Sequence, residues 1–237
     1  MLPLPFIHLF YLKPAAPFMR KLIVTLCLCF ILVLSGCFNV TEEITLRKNG
    51  SGTSRVTVDM SSMMGMLSAF IPDSLKESMD LDQLMSTDMG KFTTVSGISN
   101  VRSERLGEYA YAISYDFANM EALNKAQALN NETDTGFGKM ATRFTSKKGK
   151  LCRETNYSSS EAAGEEEHSL QDNKELFAMM GEPKYTVIYH LPSKIKKASV
   201  KGVDAKVDKD GTTVSIEYNF TDFMEAEGKI MDHYIKY

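Results

Sequence analysis

The chain has no apolar run long enough to span a bilayer, four cysteines, four histidines and no excess of positive charge. Each shortage excludes something. The longest uncharged apolar run is "LIVTLCLCFILVL", residues 22–34. A spanning helix needs about 20 such residues, whereas the apolar centre of a signal peptide needs about 7–15. Two cysteines, Cys27 and Cys29, lie inside that run, and Cys37 lies just past it. Only Cys152 belongs to the rest of the chain, so no internal disulfide can staple the fold. Cys152 sits in a strand-like stretch, where a buried, inert thiol is expected. The net charge is −3. Without residues 1–36, which hold Lys13, Arg20 and Lys21 and no acid, it becomes −6. An acidic chain of this kind has no electrostatic reason to bind nucleic acid.

Catalytic and metal signatures are also missing. His168, His190 and His233 show no i, i+4 pairing and no nearby cysteine pair, so no zinc pattern exists. There is no G-x-S-x-G, no P-loop and no G-x-G-x-x-G in strand-to-helix context. The acidic "GEEEH" run lacks the alternating ligands and glycine turn of a calcium loop. No cofactor and no metal are expected, and an enzyme is the weakest of the readings considered.

What is present starts at the N-terminus. Arg20 and Lys21 precede the apolar run, and "LSGC", Leu34 to Cys37, follows it. Basic flank, apolar centre and small-residue exit are the order of a secretory signal. The exit resembles the lipobox of bacterial lipoproteins. That resemblance implies cleavage between Gly36 and Cys37, a diacylglycerol thioether on Cys37, and acylation of the new amino terminus. Two or three acyl chains form a stable anchor where one is marginal. Met19 is the expected true start, because residues 1–18 are apolar and proline-rich. Phe38, not aspartate, follows the cysteine, which in two-membrane bacteria resembles proteins sent to the outer membrane.

Along the mature chain, alternation marks strands. "EEITLRK" and "SRVTVDM" flank the Asn49–Gly52 turn "NGSG", a strong hairpin signal. A second hairpin turns at Leu106-Gly107, and its return strand sets Tyr109, Tyr111, Ile113, Tyr115 and Phe117 on one face. A core face explains that tyrosine stripe better than a sugar platform does. "FGKMATRFT" and "LCRETNYS" form a third hairpin, and "KYTVIYHLP", "IKKASVKG", "AKV" and "TTVSIEYNF" are further strands. Helical spacing is read over residues 60–89 as two short helices split by Pro72, over residues 119–130, and in "KELFAMM". A terminal helix is read from the Asp222/Glu225 capping box and the stripe Phe223, Ala226, Ile230, Tyr234. The fold class is α+β: antiparallel β-hairpins forming one or two sheets, with short helices packed on one face. The organisation is a signal peptide over 1–36, an α+β part with Met-rich helices over 37–157, an acidic loop over 158–173, and a β-rich part over 174–237 that belongs to the same domain.

The stretch "CFNVTEEITLRKNGSGTSRVTVDM", and later "YTVIYHLPSKIKKASVKGVDAKVDKDGTTVSIEY", resembles the LppM-type domain of bacterial lipoproteins. The likeness covers the two ends of the mature chain and rests on turn chemistry. It implies a similar fold and a link to envelope lipids.

Seven methionines lie between Met60 and Met89. Flexible thioethers fill an irregular helix–sheet interface, and the same adaptability suits an apolar groove. The candidate groove residues are Met63, Met66, Leu67, Phe70, Met79 and Met85. Copper is the least favoured use, since no histidine joins the cluster. The sequence therefore points to a lipid-anchored cell-envelope protein with a non-enzymatic binding or scaffolding role. Its partners are the membrane, through Cys37, and an envelope lipid or another envelope protein. The alternatives are a carrier or sensor of apolar ligands using the Met-rich helices, and an envelope enzyme.

Overall fold

The structure is a computed structural model, and it describes residues 38–67, 89–131, 139–158, 182–200, 202–219, 228–229 and 231–237. The domain is built on two sheets. Its strands are β1 (Asn39–Leu46), β2 (Gly52–Asp59), β3 (Ile98–Arg105), β4 (Ala110–Phe117), β5 (Lys139–Lys147), β6 (Lys150–Ser158), β7 (Lys184–His190), β8 (Lys197–Val200), β9 (Ala205–Val207), β10 (Thr213–Asn219), β11 (Gly228–Lys229) and β12 (His233–Lys236). Two helices are α1 (Ser61–Leu67) and α2 (Met120–Asn131), and residues 89–93 are also helical.

The first sheet has seven strands in the order β3-β4-β2-β1-β7-β10-β9. Its inner face follows the alternation of the sequence. Ile44 and Leu46 of β1, Tyr115 and Phe117 of β4, Val187 and Tyr189 of β7, and Val214 and Ile216 of β10 are all buried. The outer face is largely polar, although Ala110 and Ala112 of β4 are buried on it. It carries Glu43 bonded to His190 at 2.6 Å, Lys184 paired with Glu217 at 2.8 Å, and Arg55 paired with Glu104 at 2.8 Å. Of the tyrosine stripe, Ile113, Tyr115 and Phe117 are core, Tyr111 packs half-buried against it and Tyr109 is half-buried just before β4; Phe92 stacks on Tyr115 with ring centroids 4.9 Å apart.

This sheet is not purely antiparallel. β1 and β7 run parallel, with Val40 opposite Tyr185, Glu42 opposite Val187 and Ile44 opposite Tyr189. The hairpin rule finds only sequence neighbours. It assigns β2 to one edge of β1 and is silent about the other, which the distant strand β7 fills.

The second sheet has five strands. β6 pairs with β5 along its whole length, so β11 and β12 share its other edge, and β8 lies beyond β12. The register slips by one residue between Lys229↔Asn156 and His233↔Arg153. That bulge centres on Asp232, whose carboxylate accepts the Thr155 amide at 2.8 Å.

The terminal helix expected from residues 222–234 is overturned at its end. His233 to Lys236 form a strand between β6 and β8. Met231, His233 and Ile235 alternate inward and are buried, and this two-residue period outweighs the capping signal upstream. Tyr234, assigned to the helical stripe, faces outward instead. Helices also do not simply cover one sheet face. α2 packs against β5 and touches β3 and β4, burying Ala122, Leu123 and Ala126. Asn124 ties it to β5 by accepting from the Phe144 amide at 2.7 Å and donating to the Phe144 carbonyl at 2.9 Å. The second Met-rich helix, the acidic loop and "KELFAMM" fall outside the described residues.

One glycine is fixed by close approach. A Cβ on Gly52 would meet the Thr45 carbonyl at 2.1 Å and the Phe117 ring at 2.3 Å. Strand β2 therefore lets the aromatic ring of β4 lie directly on its backbone. Gly52→Ala should destabilise the fold by about 2–3 kcal/mol or more, as overpacking does in a filled core. Urea unfolding measures this, and an unchanged midpoint would contradict the packing described.

Candidate functional site

The polar side chains that stand out are in the core. Glu42 sits on β1 in phase with Ile44 and Leu46, so it points between the sheets and is 1% exposed. Arg153 sits on β6 in phase with Leu151 and Thr155, and is 2% exposed. They meet: Arg153 Nη1 donates to Glu42 Oε2 at 2.6 Å. Tyr185 Oη donates to the same oxygen at 2.9 Å, and Gln127 Nε2 of α2 donates to Oε1 at 3.0 Å. Arg153 Nε donates to Thr155 Oγ1 at 3.1 Å. The guanidinium lies 5.4 Å from the Phe144 ring centroid and 5.9 Å from that of Tyr185. Two sheets and a helix thus converge on one carboxylate.

A second knot adjoins it. His233 of β12 places Nε2 2.8 Å from Tyr189 Oη and Nδ1 3.2 Å from Tyr218 Oη. Each contact again joins the second sheet to the first. The imidazole lies edge-on to Tyr189, with centroids 5.4 Å apart.

Electrostatics follow from this enclosure. Burial pulls the Arg153 guanidinium down, but the Glu42 carboxylate together with Tyr189 and Tyr185 more than offsets that, so it stays charged. Burial lifts the Tyr185 and Tyr189 phenols well above their usual range, and pushes Tyr218 up to about 12. Burial, reinforced by the Arg153 charge, pushes His233 down to about 3. The imidazole is neutral at physiological pH, with one ring nitrogen donating and the other accepting. These groups hold charge and hydrogen bonds in place. Arg153 and His233 also line a cleft of about 310 Å³ together with Cys152, Glu154, Ser199, Asp232 and Tyr234.

Residues singled out from sequence fare differently. Gly36 and Cys37 lie outside the described residues, as do Phe70, Met79 and Met85. Met63 is half-buried on α1 beside the buried Met64, and Met66 and Leu67 end the same helix. Cys152 is half-buried on the outer face of β6, not enclosed in the core as expected. His190 bonds Glu43 and Thr213 on the outer face of the first sheet. His233 belongs to a core strand, not a helix flank. Glu42 and Arg153 were legible in principle, because a charged residue of each sign falls in phase with buried neighbours. Among the described residues, no group of three or more metal-ligating side chains gathers, and no helix is long and apolar enough to cross a membrane.

No family model matches the chain, and no curated protein matches it. Among solved structures, the NMR structure of the folded domain of LppM from Mycobacterium tuberculosis is similar at a TM-score of 0.45 and 8% identity. The match covers 86% of this chain and 91% of that one.

The histidine knot makes stability depend on pH. The unfolded chain binds a proton at His233 near pH 6.5, whereas the folded chain resists it until about pH 3. The stabilisation present above pH 6.5 is therefore lost as pH falls towards 3, by on the order of 4 kcal/mol in all. His233→Gln should be less stable at pH 7.5 yet lose less stability between pH 6.5 and 4. Urea unfolding across that range checks this, and parallel pH profiles would contradict it.

Proposed function

We propose that the chain is a lipid-anchored cell-envelope protein whose sandwich domain acts by binding, without catalysis. The observation that carries the anchoring half is the spacing between the lipobox and the fold. Cys37 ends "LSGC", and β1 begins at Asn39. Phe38 is already engaged, its carbonyl accepting the Lys184 amide at 3.1 Å. No linker separates the attachment point from the sheet, so a lipid on Cys37 holds the domain directly against the bilayer. Phe38 in place of aspartate favours the outer membrane as the destination in a two-membrane cell.

The binding half is supported by where the buried chemistry goes. Glu42, Arg153 and His233 are spent on joining the two sheets, and their partners are protein groups. In this reading those groups hold the sheets together, and binding falls to the surface of the domain.

Cys37→Ser should leave the fold intact and move the protein from the membrane to the soluble fraction, without incorporation of labelled palmitate. A Cys37→Ser protein that still sediments with membranes after a carbonate wash would falsify the anchoring.

A further inference from the structure

The end of the sandwich away from Asn39 carries a row of basic side chains. β1 runs from Asn39 beside the attachment point to Leu46, a span of about 23 Å. At the Leu46 end, the second sheet presents one rung of four lysines. Lys147 of β5 lies opposite Lys150 of β6, Lys150 opposite Lys236 of β12, and Lys236 opposite Lys197 of β8. Their neighbours Leu151 and Ile235 point inward and are buried, so by alternation the lysine rung points outward. Adjacent strands lie about 4.8 Å apart, so the row is about 14 Å long.

Like charges directly opposite one another destabilise a sheet. Among the described residues, no acid pairs with any of these four lysines. Instead, Lys150 Nζ sits 4.3 Å and Lys197 Nζ 5.9 Å from the ring centroid of Tyr234, on the next outward rung. The row turns the corner at Lys148, which holds a left-handed φ of +51° in the β5–β6 turn. That conformation favours Asn, Asp or Gly, and a lysine there is strained. Lys148 then rims a cleft of about 470 Å³ shared with Arg47, Lys48, Ser146, Ser193 and Tyr237. Arg47 is partly neutralised by Asp116 at 3.6 Å, and the nearby Asp210 carboxylate is engaged by its own turn at Thr212. A chain that is net acidic thus concentrates lysines in one self-repelling row.

We infer that this end binds an acidic polysaccharide, with carboxylate or phosphate groups of successive sugars meeting the lysine row and the adjoining cleft. This names the partner of the binding domain proposed above and rests on that binding reading. The choice of a polymer over a lipid surface also uses the anchored end. The row lies on the outer face of the second sheet at the end of the strands away from Asn39, so it stands off from the headgroups of a bilayer that holds Cys37. A polymer lying further out is well placed. Regularly repeated anions suit a regularly spaced row, and the hydroxyls of Ser146 and Ser193 suit sugar.

The test uses the full chain purified in detergent at 150 mM salt, titrated calorimetrically. The probes are decagalacturonate, neutral maltodecaose and phosphatidylglycerol vesicles. Decagalacturonate should bind and maltodecaose should not. Lys236→Glu, placed between Lys150 and Lys197, should weaken binding at least tenfold while raising Tm by about 2 °C or more, since it replaces two repulsions by attractions. The control Arg102→Glu, on the exposed edge strand β3, should leave binding unchanged. Equal binding of maltodecaose, a Lys236→Glu protein with raised Tm and unaltered affinity, or equal loss in the control overturns the proposal. Binding to vesicles alone, abolished by Lys236→Glu, also overturns it and reassigns the row to a lipid surface. Anchoring is read separately, by fractionation of Cys37→Ser, so the two failures are distinguishable.

Discussion

A carboxylate and a guanidinium removed from water must satisfy each other or the fold does not form. Removing either ion from water costs several kcal/mol, and the contact between them recovers this only if the remaining lone pairs and protons are also bonded. Glu42 and Arg153 meet that condition. Glu42 accepts from Arg153, Tyr185 and Gln127, and Arg153 also donates to Thr155. These partners come from β1, β7, α2 and β6, so one pair fixes the placement of both sheets and the helix between them. An apolar core of the same volume gains as much from burial but tolerates sliding. The ion pair admits one register.

The histidine knot repeats the device at shorter range. Tyr189 and Tyr218 reach down from the first sheet to the two nitrogens of His233. Around both knots, side chains such as Phe117, Phe144, Val187 and Ile216 are almost wholly removed from water. Each contributes about 1.5–3 kcal/mol of burial. Apolar area supplies the driving force, and the polar pairs select the arrangement. Among the described residues no disulfide does this, because Cys152 is their single cysteine and lies on an outer face.

Local pattern made much of this visible in the sequence. Asn49–Gly52 and Lys148–Gly149 mark their hairpins, and the alternation in "YTVIYH" and "TVSIEY" marks buried strands. The parallel pairing of β1 with β7 was not visible, because strands 145 residues apart carry no turn signal. The final strand was misread because a capping pair upstream resembled a helix start, while Met231, His233 and Ile235 held the two-residue period. Glu42 stands near the start of the "EEITLRK" strand. Its phase with Ile44 and Leu46 points it inward, but only a partner of opposite sign made burial tolerable. That partner, Arg153, is 111 residues away. The lysine rung was invisible for the same reason: Lys147, Lys150, Lys197 and Lys236 become neighbours only through pairing.

Interior and surface divide the work. The interior uses its charges in pairs, to fix the fold. The end far from Cys37 leaves lysines of one sign side by side, where they cost stability and offer an anionic partner a place. The account depends most on the interior pair, and a double-mutant cycle in urea tests it. Glu42→Gln and Arg153→Met should each cost about 3–5 kcal/mol, because each leaves a buried charge or polar group unpaired. Glu42→Gln combined with Arg153→Met should cost at least about 2 kcal/mol less than the sum of the two. Single changes of less than about 1 kcal/mol, or losses that simply add, would contradict the claim that this pair fixes the sandwich.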